Sequence, residues 1–531
     1  MGIIIWSTIQ PYSLLIYEII FLINWAANKA PLSVATNDAS LIVNASNHSA
    51  TLWKHLRSLV YHLNALTLCH TEEKLPMDLK HTPSSSNTNL DEFGYQQELK
   101  RTLSVKDLVI YGLIFMVPIA PMGIYGAVIS VSQGMIALTY AIGMLAMFFT
   151  TLSYGQMSQA FPVAGSVYAY AKLGINKSIG FLSGWMIILD YIFVPALLYI
   201  IAANSLKSLL PTIPTWLWLV GFIAINTLIN VGGIAFTAIA NRIFLIGELI
   251  VLAFFIILGS YGLMRGIGNG FTLKPFYDAS HFNLNFVMTA TSVAVLSFLG
   301  FDGISTLAEE TTGGNQAVGK GILWSLLIVG ALFIIQTYLA ALIVPNWHSF
   351  NDLNTAFYVV AGKVGGPFLT DLTTIATILS WGFANALAAQ AAISRILFGM
   401  ARDHNLPHVL ARVHPRFKTP YMSTLLVAII SLLVGLTFMN DSGTLSEIVN
   451  CGALTAFLVI HIAVINHFFI KQHSHDYWHH LIVPIIGFII IGFVMINLNV
   501  LAKEIGGIWL LIGIGYYLIL RVLQRNTEMN L

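Results

Sequence analysis

The chain has 531 residues, 57% of them hydrophobic and 9% charged, with a mean hydropathy of +0.78. No soluble globular protein of this length has that balance, so the sequence describes a polytopic membrane protein. The net charge of +2 favours no nucleic acid or acidic partner, and the two cysteines, Cys69 and Cys451, form neither a disulfide framework nor a metal motif.

Residues 1–106 differ from the rest. "IIIWSTIQPYSLLIYEIIFLINW" is apolar but carries Pro11 and Glu18, and "HTPSSSNTNLDEFGYQQ" reads as a disordered tail. Three readings fit the apolar start: a surface-lying helix, a thirteenth span, or sequence ahead of a translation start at Met77. Asn44 and Asn47 head glycosylation triplets of a kind that arises by chance.

From residue 107 on, stretches of about twenty apolar residues number about twelve, beginning near Asp107, Met135, Ser178, Pro214, Ile239, Phe286, Lys320, Pro367, Met422, Thr444, Leu481 and Gly507. If the first runs outward from the cytoplasm, Lys207, Arg265, Lys274, Lys363 and Lys503 fall outside, and the other fifteen Lys and Arg from residue 100 on fall inside. That asymmetry sets both ends of the helical core in the cytoplasm.

A helix breaks at membrane mid-depth only where protein or a water-filled cavity satisfies its amides, so breaks mark sites. The first stretch holds "PIAPMGIYG", Pro118 to Gly126, and the sixth holds "GFDG", Gly300 to Gly303. They stand five helices apart, and a five-helix unit followed by its copy places the copy upside down. That is the inverted-repeat pattern of secondary transporters, whose substrates bind between two interrupted helices. The predicted units are residues 107–265, 286–470 and a final pair at 481–523, with a tail at 524–531.

Three stretches then carry a resemblance: "SQAFPVAGSVYAYAKLGINKSIGFLSGW" (158–185), "FLGFDGISTLAEET" (298–311) and "SRILFGMARDHNLPHVLARVHPRFKTP" (394–420). They resemble the amino acid, polyamine and organocation (APC) superfamily of permeases, and most nearly its putrescine-importer branch. The resemblance implies an all-α LeuT-type fold of five plus five inverted helices, twelve spans with the first and sixth broken, and transport of amino acids or amines at a plasma membrane. Where relatives have a Gly-Ser-Gly-Ile turn whose amides receive a substrate carboxylate, this chain has Pro121, Met122, Gly123 and Ile124. Proline has no N–H to give, which favours a substrate recognised by its amine, although Gly123, Ile124, Tyr125 and Gly126 still carry amides.

Ionisable groups at bilayer depth are functional candidates by default. Asp302, flanked by Gly300 and Phe301, is the expected acceptor of a substrate ammonium, and Asp190 on the third helix the second anchor for a dication. The competing reading makes each a structural hydrogen-bonding group. Tyr125, Phe298 and Phe301, with Trp185 and Trp381 behind them, are candidates for cation–π closure over an amine, against ordinary packing. Glu248 stands where several relatives carry a lysine in place of sodium. A carboxyl taken out of water favours its proton, which suits coupling to protons rather than sodium. Glu309 and Glu310, with Arg395 and Arg402, are expected at the cytoplasmic end as solvated charges or a gate.

The histidines of "KQHSHDYWHH" (471–480) read as a solvated loop rather than a metal site. No P-loop is found, so an ATP-driven pump is not expected, and neither is a cofactor. The leading expectation is a secondary transporter of no enzymatic activity, partnered by a small amine or amino acid, a proton and the bilayer. An amino acid exchanger and a non-transporting sensor of the same fold stand beside it.

Overall fold

The computed structural model describes residues 103–163, 166–232, 237–314, 316–402, 406–417 and 419–529. The expectations for residues 1–102, the glycosylation triplets and Met77 among them, fall outside these, as do the side chains of Glu309 and Arg402.

Among the described residues the chain is helical, and its one strand-like pairing is a parallel bridge between Leu103 and Thr311. In order come α1 (Val105–Met116), α2 (Ala120–Val131), α3 (Ile136–Ala160), α4 (Ser166–Gly174), α5 (Lys177–Leu209), α6 (Thr215–Gly232), α7 (Thr237–Met264) and α8 (Leu284–Ala294). The second half holds α9 (Gln316–Ile343), α10 (Ala356–Leu379), α11 (Ala386–Arg402), α12 (Tyr421–Thr437), α13 (Ser442–Val464), α14 (Val483–Ile496) and α15 (Val500–Met529). Among the described residues, ten helical segments are long and apolar enough to cross a membrane, or eleven if α1 and α2, bent by 49°, count as one; α12 is a shorter apolar helix. The apolar span within α15 is Val500–Val522, and the helix runs on to Met529.

Local chemistry sets the helix starts. At α1, Ser104 and Asp107 form a capping box, each side chain satisfying the other's backbone N–H. Asn176 caps α5 and Asp441 caps α13 one way only, each side chain accepting from a backbone N–H, of Ile179 and Thr444 respectively. The 33-residue α5 is the centre of the bundle, with 83% of its most apolar window buried, whereas α15 has 11% buried and presents Leu511, Leu518 and Val522 outward.

Besides the break at Gly366 inside α10 (φ 63°, ahead of Pro367) and the π turns at Ile465–Lys471 and Trp478–Ile482, the helical ladder is interrupted at three places that bear on the site. Between α1 and α2, Val117 takes a left-handed φ of 51° ahead of Pro118. After α8 the chain tightens into 3₁₀ turns at Val295–Phe298 and Phe301–Glu310, separated by Gly300 at φ 106°. Between α10 and α11 it widens into a π turn at Ser380–Asn385. Each interruption frees backbone carbonyls that lipid would not satisfy, and a buried amide side chain from a neighbouring helix answers each. Gln336 Nε2 donates to the Pro118 carbonyl at 2.9 Å, Asn450 Nδ2 to the Ser292 carbonyl at 2.5 Å, and Asn226 Nδ2 to the Gly382 carbonyl at 2.8 Å.

Candidate functional site

The three interruptions meet at one cavity. It measures about 50 Å³, room for a few water molecules, and is lined from α1 and α2 by Phe115, Met116 and Ala120 and from α5 by Asp190, Tyr191, Val194 and Leu198. Leu296, Leu299 and Gly300 line it from the segment after α8, and Trp381, Asn385 and Ala389 from the π turn and α11. No basic residue stands in this wall. A second cavity, of about 390 Å³, opens among the loops around Lys274, Asp278 and Trp347; it contains neither Asp190 nor Asp302 in its lining.

Asp190 is buried in the cavity wall, and Asp302 lies close enough to interact with it electrostatically. Asp302 is 3% exposed, faces the N–H groups of Gly300 and Gly303 and the Tyr191 hydroxyl, and leaves Oδ2 without a hydrogen-bond partner. Asp190 thus lines the cavity, while Asp302 is not part of its lining and lies behind it, within electrostatic reach of Asp190. A buried charge without a partner is costly, so a bound cation would relieve the pair.

The other expected residues are divided. Gly300 lines the cavity. Phe298 packs away from it, edge-on to Phe333 at 5.1 Å, and Phe301 packs against Phe457 at 5.2 Å and Tyr154 at 5.8 Å. Gly123, Ile124, Tyr125 and Gly126 do not join the cavity wall. The reason is the start of α2 at Ala120: Gly123 is already its fourth residue, and from there each amide turns to a carbonyl one turn back. Their side of α2 packs instead, Gly126 against the Leu353 carbonyl and Tyr125 edge-on to Phe357 at 5.6 Å. Trp185 is clamped to Trp509, each indole N–H donating to the other's backbone carbonyl at 2.8 Å, while Trp381 does line the cavity.

Glu248 on α7 is buried with Oε2 unpartnered; its carboxyl takes a hydrogen bond from Ser380, the first residue of the π turn. At the end of the bundle where α1 begins, Arg395 is exposed and Glu310 half-buried. The ion pair at that end joins Arg242 to Asp107 at 4.0 Å, not Arg395 to Glu310. Tyr111, tilted at 34° against Phe115 with ring centroids 4.9 Å apart, is within electrostatic reach of both Arg395 and Glu310.

Sequence reasoning missed Phe115, Val194, Leu198, Asn385 and Ala389. The signal was present: Val194 and Leu198 follow Asp190 at four-residue steps, as Asn385 and Ala389 follow Trp381, which keeps each set on one helical face.

Residues 108–518 match the amino acid permease family. A low-affinity putrescine importer of Escherichia coli K12 is 31% identical over 79% of this chain and 93% of its own length. A branched-chain amino acid permease of Bacillus subtilis is 24% identical over 82% of this chain and 96% of its own. A vacuolar cationic amino acid transporter of Arabidopsis thaliana is 27% identical over 69% of this chain and 63% of its own.

Proposed function

This chain belongs to the amino acid permease family, and from that premise we propose that it is a secondary transporter of amino acids or polyamines whose preferred substrate is a diamine such as putrescine or a basic amino acid. The observation that carries the substrate preference is the pair of buried, electrostatically coupled carboxyl groups, Asp190 in the wall of a cavity that holds no basic residue and Asp302 two residues beyond the wall residue Gly300. The absence of a free amide run at the start of α2, where Pro121 has no N–H, supports recognition through the amine.

The finer reading is twelve spans in a LeuT-type five-plus-five inverted repeat (107–265 and 286–470) with two further helices at 481–523. It is supported by the bend at Val117, the 3₁₀ turns around Gly300, and counting α12 as a span. Access alternates as one helix set rocks against the other about the fixed midplane site. Both ends of the core face the cytoplasm of a plasma membrane, Glu310 and Arg395 work near an inner gate, and Glu248 carries the coupling proton.

The test is uptake of radiolabelled putrescine, arginine, glutamate and leucine into proteoliposomes, with and without a proton gradient, for the parent and Asp302→Asn. Putrescine uptake that weakens in the variant is expected. Unchanged putrescine affinity would remove Asp302 as the amine anchor, and no uptake of any of the four by the parent would remove the transporter reading.

A further inference from the structure

Four oxygens near the site are buried and have no hydrogen-bond partner: Asp302 Oδ2, Tyr154 Oη, Tyr170 Oη and Ser166 Oγ. An orphaned buried polar atom costs about 1–3 kcal/mol, so four together favour bridging by water.

They lie in one neighbourhood. The rings of Tyr154 and Tyr170 are 6.1 Å apart at 71°, and Tyr154 is within electrostatic reach of Asp302. Tyr154 Oη faces Ser166 Oγ and Tyr170 Oη faces Ser305 Oγ, each pair near enough to interact while Tyr154, Ser166 and Tyr170 make no direct bond of proper geometry. Ser305 in turn donates to the Asp302 carbonyl at 2.5 Å. The other titratable groups facing Asp302 are Asp190 and Tyr191 of α5.

The set also has a direction. Asp302 lies two residues beyond Gly300 of the cavity wall, Tyr154 six residues before the end of α3, and Ser166 at the start of α4, the short helix that links α3 to α5 at the end of the bundle where α1 begins. Hydroxyls both donate and accept, and one carboxylate with three neutral hydroxyls suits water bridges.

We propose that Asp302, Tyr154, Tyr170 and Ser166 form a water-bridged proton relay from the midplane site to the end of the bundle that bears Arg242 and Arg395. When a substrate ammonium takes the Asp302 carboxylate, the displaced proton passes to a bridging water, which hands one of its own to Tyr154 Oη. Tyr154 releases its original hydroxyl proton toward Ser166, and Ser166 does the same. Asp302 begins protonated and ends as the carboxylate paired with the ammonium, the water and each hydroxyl end with the protons they began with, one proton leaves, and nothing is oxidised or reduced. The relay rests on the transporter reading of Asp302, and Glu248 is not one of its members.

The experiment uses the full chain in proteoliposomes with an internal pH dye and radiolabelled putrescine, comparing the parent with Tyr154→Phe, Tyr170→Phe, Ser166→Ala and Glu248→Gln. In Tyr154→Phe, the expected result is a putrescine KM within about twofold of the parent, retained putrescine exchange, and proton entry per putrescine reduced at least about tenfold. Parental proton entry in both Tyr154→Phe and Ser166→Ala overturns the relay, as does equal loss of exchange and proton entry, which a merely structural role would give. Sodium dependence of the parent that vanishes in the two Phe variants also overturns it, in favour of a cation site. Decoupling by Glu248→Gln alone leaves proton coupling standing and the relay overturned. If the parent moves no putrescine, the transporter reading fails by itself; the relay is then read from proton leak into empty vesicles, which Tyr154→Phe must lower for it to stand.

Discussion

Phe115 and Gly300 close on each other across two interrupted helices: Phe115 Cδ1 lies 3.0 Å from where a Cβ on Gly300 would stand, and the Phe115 backbone oxygen lies 3.2 Å from it. Gly300 also holds φ at 106°, a conformation that costs an L-residue about 1–3 kcal/mol. A side chain there meets both penalties. Gly300→Ala is therefore expected to reduce substrate uptake at least about tenfold, and pairing it with Phe115→Ala to restore only part, because the steric contact is relieved and the backbone strain is not. Uptake by the two single variants and the double variant checks this.

The buried amides at the interruptions act on stability rather than on chemistry. Gln336→Leu leaves the Pro118 carbonyl without its donor in a water-poor interior, at a cost of about 1–3 kcal/mol. The expected outcome is a melting temperature lowered by a few degrees in detergent, with the KM of the protein that remains folded changed little. Asn450→Leu should behave alike, through the Ser292 carbonyl.

How far the sequence revealed this arrangement depended on the kind of signal. Long apolar runs and cap residues such as Ser104 and Asn176 are local, and helix positions follow from them. Asp190 and Asp302 stood out because a charge in an apolar run is conspicuous. The register of Gly123 to Gly126 was not legible: Pro121 suits the first turn of a helix as well as a break, and α2 begins three residues before Gly123, so that glycine's amide lies within the helix. Gln336, Asn450 and Asn226 were passed over because a lone uncharged amide in an apolar run gives no hint of the distant carbonyl it serves. The π turn at Ser380–Asn385 has no composition of its own and exists through those tertiary contacts.

The two carboxyl groups separate substrates by charge. An ammonium–carboxylate hydrogen bond is worth about 1.5–3 kcal/mol, or about ten- to hundredfold in affinity. Asp190→Asn should weaken putrescine by that factor and leave a neutral amino acid nearly unaffected, since a single ammonium still finds Asp302. Competition of labelled putrescine against unlabelled leucine and arginine measures it. Equal loss for all three would mean that Asp190 shapes the cavity without anchoring an amine.

Glu248 offers a separate control on coupling. Glu248→Gln keeps the size of the side chain and its acceptor for Ser380 but removes the titrating proton. Uptake driven by an inward proton gradient should fall to the level seen without a gradient, while exchange at equal pH on both sides persists. Gradient-driven uptake that survives in the variant would sink the assignment.

Gly126 distinguishes a substrate-binding glycine from a packing one. Alanine at this position keeps the backbone N–H, so a role in donating that amide to substrate would survive Gly126→Ala nearly intact. The geometry predicts the opposite, because a Cβ there would stand 2.0 Å from the Leu353 carbonyl oxygen, and backbone cannot swing aside as a side chain can. The segment around Leu353 would have to part from α2, undoing the edge contact of Phe350 with Tyr125 at 6.3 Å. Gly123→Ala is the control: its Cβ meets the Ile201 Cγ2 methyl at 2.9 Å and Trp381 at 3.4 Å, side chains that yield by a few tenths of an ångström. Uptake is expected to fall more than about tenfold for Gly126→Ala and less than about threefold for Gly123→Ala. The reverse order would return the amides of α2 to the substrate and move the closing contact elsewhere.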